Sequence, residues 1–171
     1  MDFPLYQHFH RLIDERHPDL INELSSKELG PKERPHSLGI FIEVPEQYLD
    51  EWDPYYIFIL TDHPHARDED KAVAVLLHEY GHFVFRTIIY PRLFGLGKCI
   101  RGKLSSRPAG STPMDWDYLT RLINVGEELG AWIISWTMLF QHGLLNKRHL
   151  QYGWKCWKGY WWRLKWNRKN D

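Results

Sequence analysis

Apolar residues recur at helical spacing from the start of the chain. Leu5, Phe9, Leu12 and Ile13 fall on one side of residues 4–16, which predicts an amphipathic helix. Pro18 can open a second short helix to about Lys27, with Leu20, Ile21 and Leu24 as its apolar positions. Gly30-Pro31 and Pro35 mark a loop. The pattern then changes. Ser37–Val44 (SLGIFIEV) is β-branched and apolar and stops at Pro45, so it reads as a strand; Tyr55–Thr61 (YYIFILT) reads as a second. Between them lies a polar excursion or single helical turn. DHPHARDED follows, with Asp68 placed to cap a helix and Glu69 and Asp70 in its first turn. Asp70–Tyr90 contains no proline and reads as that helix. A Gly-, Pro- and Ser-rich stretch, 91–113, is long enough to be a functional loop. A long helix at about 115–142 ends near Gly143, and Asn146 caps a last one through about Trp166. The expected class is α+β: a small sheet packed on the 70–90 helix, followed by long C-terminal helices.

The chemistry sits in the 70–90 helix. His78-Glu79-Tyr80-Gly81-His82 is His-Glu-x-x-His, and residues four apart share a helix face with roughly 5–6 Å between Cβ atoms. His78 and His82 can therefore offer two imidazole nitrogens to one ion. Zinc suits such a pair, since it takes nitrogen ligands and tolerates an open fourth position. Glu79 would face the water that the ion activates and serve as general base. Ala72, Val73, Val75, Leu76, Phe83 and Phe85 surround the motif, so its helix must be largely buried. Polar groups in such a place are costly unless paired or ligated. The plain alternative is two core histidines with hydrogen-bonded partners.

At 171 residues, with 43% hydrophobic and 15% aromatic residues, the chain suits one globular domain, 1–171. Within it we expect N-terminal helices (1–30), a catalytic core (37–142) and a C-terminal helix (146–166). Zero net charge hides an asymmetry: residues 1–53 carry 12 acidic and 5 basic side chains, residues 143–171 carry 8 basic and 1 acidic. Cys99 and Cys156 form no Cys-x-x-Cys pattern, which favours a reducing compartment. The N-terminus lacks a signal-peptide pattern, and no apolar run reaches 18 residues without charge. A cytoplasmic protein is expected.

Two histidines leave a catalytic zinc site short of a ligand. Positions 85 and 88 are Phe and Ile, which excludes a third histidine at the metzincin spacing. The next long helix carries Gly126-Glu127-Glu128-Leu129-Gly130-Ala131-Trp132. At about 100° per residue, Leu122, Val125, Leu129, Trp132, Ile133 and Trp136 cluster around Leu129, the face expected to meet the motif helix. Glu128 flanks that face and Glu127 lies nearly opposite it, so Glu128 is the expected third ligand. The alternative is that both are ordinary solvated glutamates.

A glutamate brought by a second helix to a His-Glu-x-x-His helix resembles the gluzincins, such as thermolysin. The short chain, the two strands before the motif and the Glu-x-x-Ala segment are similar to small bacterial and phage metallopeptidases of the ImmA/IrrE type, over roughly residues 37–140. The resemblance implies a minimal zincin-like fold, Zn2+ held by His78, His82 and Glu128, Glu79 as catalytic base, and a protein or peptide substrate. It also selects Glu128, three residues before Ala131. One departure stands out. The family usually has Asn or Asp four residues after the ligand glutamate, bracing a ligand histidine, whereas position 132 is Trp. A partner for that histidine must come from elsewhere.

Other features leave alternatives open. Tyr55–Thr61 is either an edge strand that pairs with an extended peptide or a core strand. His63 and His65 either line a cleft or are solvated. An oxyanion donor could be His142, Tyr118 or Tyr152. GWKCWKGYWWRLKWNRK, residues 153–169, interleaves tryptophan with lysine and arginine. That pattern suits single-stranded nucleic acid or an anionic membrane surface, but the spacing of Trp154, Trp157, Trp161 and Trp162 favours packing on the core. The competing function class is a non-catalytic binding or regulatory protein, with a structural or vestigial zinc site and a nucleic-acid- or partner-binding end.

Overall fold

The computed structural model of the chain describes residues 3–25, 38–44, 46–93, 100 and 118–166, with 162–166 described by backbone alone. Its class is α+β: among the described residues there are a three-stranded mixed sheet and four α-helices of more than one turn. The chain divides into two compact units inside the second helix, between Tyr80 and Gly81.

In the first unit, α1 (Pro4–Arg16) starts with Pro4 at its first turn, where a missing N–H costs nothing. It turns Tyr6, Phe9 and Ile13 inward. The Leu5 N–H donates to Glu69 Oε1 at 2.7 Å, which satisfies one of the helix's orphan donors. Leu20–Ser25 is a strand, β1, where the sequence predicted a short helix. Long-range pairing decides the outcome: β1 runs parallel to β3 (Tyr55–Leu60), with Leu20 opposite Tyr55 and Ser25 opposite Leu60. Ladder hydrogen bonds to a distant strand outweigh the weak local periodicity of Leu20, Ile21 and Leu24. β2 (Gly39–Glu43) pairs antiparallel on the other side of β3. β3 is therefore the central strand, with Ile57 and Ile59 fully buried. It is a core strand, and both its edges are taken.

α2 (Glu69–Val84) begins as its sequence predicts. Asp68 Oδ1 accepts from the Lys71 N–H at 3.3 Å, and Lys71 Nζ lies 3.0 Å from Asp68 Oδ2. From Ala72 to Gly81 every residue is buried. The stretch Glu69–Arg92 has the length and mean hydropathy (1.2) of a membrane span, yet 61% of that window is buried within the fold. A core helix gives the same signature.

In the second unit, α2 passes into a π-helical turn, Phe85–Ile89, closed by the Tyr90 N–H donating to Phe85 O, and then a last α-helical turn, Tyr90–Arg92. α3 (Tyr118–Gln141) and α4 (Lys147–Trp166) follow. Gly143, at φ 69°, ends α3 with the Leu144 N–H donating to Leu139 O at 2.8 Å, a conformation glycine adopts without strain. Asn146 Oδ1 accepts from the His149 N–H at 3.1 Å and caps α4, as expected. α4 lies antiparallel along α3. A Cβ on Gly153 would stand 2.6 Å from Trp132 and 2.9 Å from Trp136, and Trp157 Nε1 donates to Val125 O at 3.3 Å. Among the described side chains of the tryptophan row, only Trp157 packs inward, and it is half-buried; Trp154 and Trp161 are exposed. The side chain of Trp162, residues 94–99 and 101–113 of the predicted loop, and Cys99 lie outside the described residues.

Candidate metal centre

His78 and His82 stand one turn apart on α2 at the point where that helix is most completely surrounded. α3 approaches the end of α2 through small residues. A Cβ on Gly81 would lie 2.7 Å from Ala131 Cα and 2.8 Å from its carbonyl oxygen, and one on Gly130 would meet the Phe85 ring at 2.2 Å. Only glycine permits backbones this close. This crossing corrects the expected face of α3. Its buried residues, among them Arg121, Val125, Ala131, Trp132, Ser135 and Leu139, centre on Glu128, about 100° round the helix from Leu129. Leu122 and Ile133, expected to face inward, are 43% and 49% exposed. Closeness of backbone rather than bulk of side chain selects the contacting face.

Glu128 is accordingly buried, and one ligand atom from each of His78, His82 and Glu128 lies within 4.8 Å of the other two. Glu128 Oε2 is 3.6 Å from His82 Nε2. Among the described residues this is the one group of three such side chains so placed. Two imidazoles and a carboxylate so placed could together hold a metal ion.

Glu127 is the residue the sequence reading misplaced. It is 6% exposed rather than turned to solvent, and its carboxylate gathers three donors from the end of α2 and the turn beyond it. His82 Nδ1–H donates to Oε1 at 3.0 Å, Arg86 Nε–H to Oε1 at 3.2 Å, and Tyr90 O–H to Oε2 at 2.7 Å. Burial alone would raise the Glu127 pKa. The bonds and charges of His82 and Arg86, with the Tyr90 hydroxyl, outweigh it and hold the carboxyl below its ordinary value. Burial likewise works against a charged His82, but the Glu128 charge and the bond to Glu127 keep that imidazole well above its usual range. With Nδ1–H held on Glu127, the His82 atom presented toward Glu128 is Nε2. That is the tautomer a metal takes when a carboxylate braces the ligand histidine. The brace that Trp132 cannot supply thus comes from Glu127, while Trp132 packs edge-on against Tyr152. The signal in the sequence is adjacency: a glutamate beside the expected ligand, with Arg86 and Tyr90 at later turns of the motif helix.

Glu79, in the first unit, is 8% exposed. The β2 backbone comes close to it: a Cβ on Gly39 would lie 2.8 Å from Glu79 Cγ, 3.1 Å from its Oε1 and 2.5 Å from Val75 Cγ1. Tyr80 turns away to accept or donate at His17 Nε2, 2.8 Å distant. The remaining candidates are dispersed. His63 Nδ1 accepts from the His65 N–H at 3.1 Å in a 3-10 turn, so this pair shapes its own loop. Tyr118 and His142 are exposed, and Tyr152 is half-buried beside Trp132. No family model, curated protein or solved structure matches the chain.

Proposed function

We propose that this protein is a zinc-dependent peptidase of gluzincin type acting on a protein or peptide in the cytoplasm. The observation that carries the reading is the convergence of His78, His82 and Glu128 to within 4.8 Å, with Glu79 next to the first of them and buried. The resemblance of the motif and its downstream Glu-x-x-Ala segment to the ImmA/IrrE-type metallopeptidases supports it. Zinc, when bound, supplies Lewis acidity, lowering the pKa of water and polarising a carbonyl. The chain's own residues do the rest. Glu79 takes the proton of the attacking water and delivers it to the departing amine, work that typically contributes about 10²–10⁴-fold. Glu127 holds His82 in one tautomer and one orientation. Burial of the site excludes bulk water and strengthens each of these interactions.

The test is zinc content and peptide cleavage of wild type and Glu79→Gln. Wild type should carry about one zinc per chain, His78→Ala and His82→Ala should lose it, and Glu79→Gln should keep zinc and fold but lose turnover. Folded wild-type protein that neither contains nor takes up zinc would refute the reading, as would full activity in Glu79→Gln. A second reading, a non-catalytic binding protein with a structural zinc, draws on the exposed tryptophans of α4. It requires zinc retention with no cleavage in the wild type.

A further inference from the structure

α3 carries a face that the metal centre does not use. Leu122, Ile133 and Phe140 point outward, Phe140 at 71% exposure, and the charges of this helix (Arg121, Glu127, Glu128) all lie among its buried residues. α4 has a comparable row in Leu150, Trp154 and Trp161, at 42%, 46% and 39% exposure. The two rows belong to one surface. The contact line between the helices runs through Val125, Trp132 and Trp136 of α3 and Gly153 and Trp157 of α4. At about 100° per residue, each exposed row lies roughly 40–80° round its own helix from that line. Antiparallel helices turn in opposite senses when viewed from one end, which brings both rows to the same side. Glu128 and Cys156 fall on the other side, and the Glu128 charge acts on the Cys156 thiol there.

We propose that this outer face of the α3–α4 hairpin docks on an anionic phospholipid membrane. Charge complementarity selects the occupant. α4 carries Lys147, Arg148, Lys155, Lys158, Arg163 and Lys165 and not one acidic residue. Contiguous apolar surface of this kind marks an interaction site. A basic helix with tryptophan and leucine on its apolar side is the composition of an interfacial segment. Lys158 Nζ lies over the Trp154 ring, 5.8 Å from its centroid, so a cation stands directly against the aromatic row. Nucleic acid fits less well. Leu122, Ile133 and Leu150 offer no ring on which a base can stack. The rings of Trp154, Trp157 and Trp161 lie against one another, at 4.9 and 5.7 Å between centroids. A two-fold pairing with a second copy would bring the cations of one α4 toward those of its mate.

The experiment is flotation of the full-length protein with vesicles of phosphatidylcholine containing phosphatidylserine, and with phosphatidylcholine alone. The expected result is binding to the anionic vesicles only, released by high salt. Lys155→Gln combined with Lys158→Gln should weaken it on the order of thirty-fold. Trp154→Ser combined with Trp161→Ser should weaken it at least as much, as should Phe140→Ser, each keeping the wild-type circular dichroism and zinc content. Wild-type protein that stays with the soluble fraction at low salt overturns the proposal. So does undiminished flotation of the tryptophan and Phe140 variants. Salt-sensitive binding of a single-stranded oligonucleotide, or a dimer that the tryptophan variant dissociates, without vesicle binding, also overturns it. Because the surface and the metal centre use different residues, these outcomes are independent of peptidase activity.

Discussion

Replacing Glu127 by glutamine tests the metal centre where the structure departs most from the sequence. The carboxylate holds His82 Nδ1, Arg86 Nε and the Tyr90 hydroxyl at 3.0, 3.2 and 2.7 Å. Glutamine keeps the planar shape and one oxygen on the His82 and Arg86 side, and its amide can donate to Tyr90. What disappears is the negative charge that, on the proposed reading, makes His82 a better ligand. Losing such a partner lowers metal affinity by about 10–100-fold, equivalent to about 1.4–2.7 kcal/mol. Alanine is a poorer probe. It strips Arg86, itself buried, of this carboxylate, and breaking a buried pair costs about 3–5 kcal/mol. Set against a total stability of about 5–15 kcal/mol, that loss would confound binding with unfolding. The assay is a zinc competition titration against a chromophoric chelator, with circular dichroism of the same samples. Glu128→Gln, which alters a proposed ligand itself, should bind more weakly than Glu127→Gln. Wild-type affinity in Glu127→Gln would refute the bracing role, and a larger loss there than in Glu128→Gln would mean the two roles are exchanged.

Gly81→Ala sets helix propensity against packing. Alanine favours the helix by about 0.8–1.0 kcal/mol, but its Cβ would lie 2.7 Å from a backbone carbon of Ala131 that cannot swing aside. Net destabilisation of about 1–3 kcal/mol with weaker zinc binding is expected in denaturant melts and zinc titrations; equal stability would count against the close crossing. Gly39→Ala should displace Glu79, leaving zinc content unchanged while turnover falls, and a fully active variant would argue against the β2 contact. Tyr6 is buried, and among the described residues its hydroxyl has no hydrogen-bond partner. Burial, and then the Asp14 charge, push its pKa far above the ordinary value. The folded state therefore keeps the phenol neutral while the unfolded chain ionises above about pH 10, so stability is whole below that pH and falls as pH rises beyond it. Tyr6→Phe should be as stable as wild type or more so by about 1–3 kcal/mol and should flatten the alkaline loss in urea melts; marked destabilisation would reveal a partner for the hydroxyl.

Local signals carried much of the fold. The caps at Asp68 and Asn146, the stop at Gly143, the strands at 39–43 and 55–60 and the motif helix each depend on neighbouring residues, and each stands where local chemistry puts it. β1 was misread because a six-residue strand pairing in parallel with β3 is stabilised by a partner distant in sequence. The same holds for β3: two apolar strands do not reveal which is central. In α3 the error was physical. Bulky apolar residues suggested the inner face, while the close crossing at Gly81 and Ala131 chose another. Glu128 survived that rotation because it moved from the flank of the expected face to the centre of the real one. Glu127 moved from solvent to the interior, and its role with it.

The π turn at Phe85–Ile89 makes chain length, as well as side-chain identity, a determinant of the candidate metal site. In an unbroken α-helix Tyr90 would stand about 80° round from His82. The wide turn absorbs one extra residue, a phase change of about 100°, and so brings Tyr90 back nearly into line with His82. This alignment lets His82, Arg86 and Tyr90 reach a single carboxylate. Deleting Thr87, Ile88 or Ile89 would restore the ordinary pitch and swing the Tyr90 hydroxyl off Glu127, though neither a proposed ligand nor another donor to Glu127 had been touched. Drift in this lineage should therefore reject single-codon deletions in the turn while accepting substitutions at its positions other than Phe85 and Arg86.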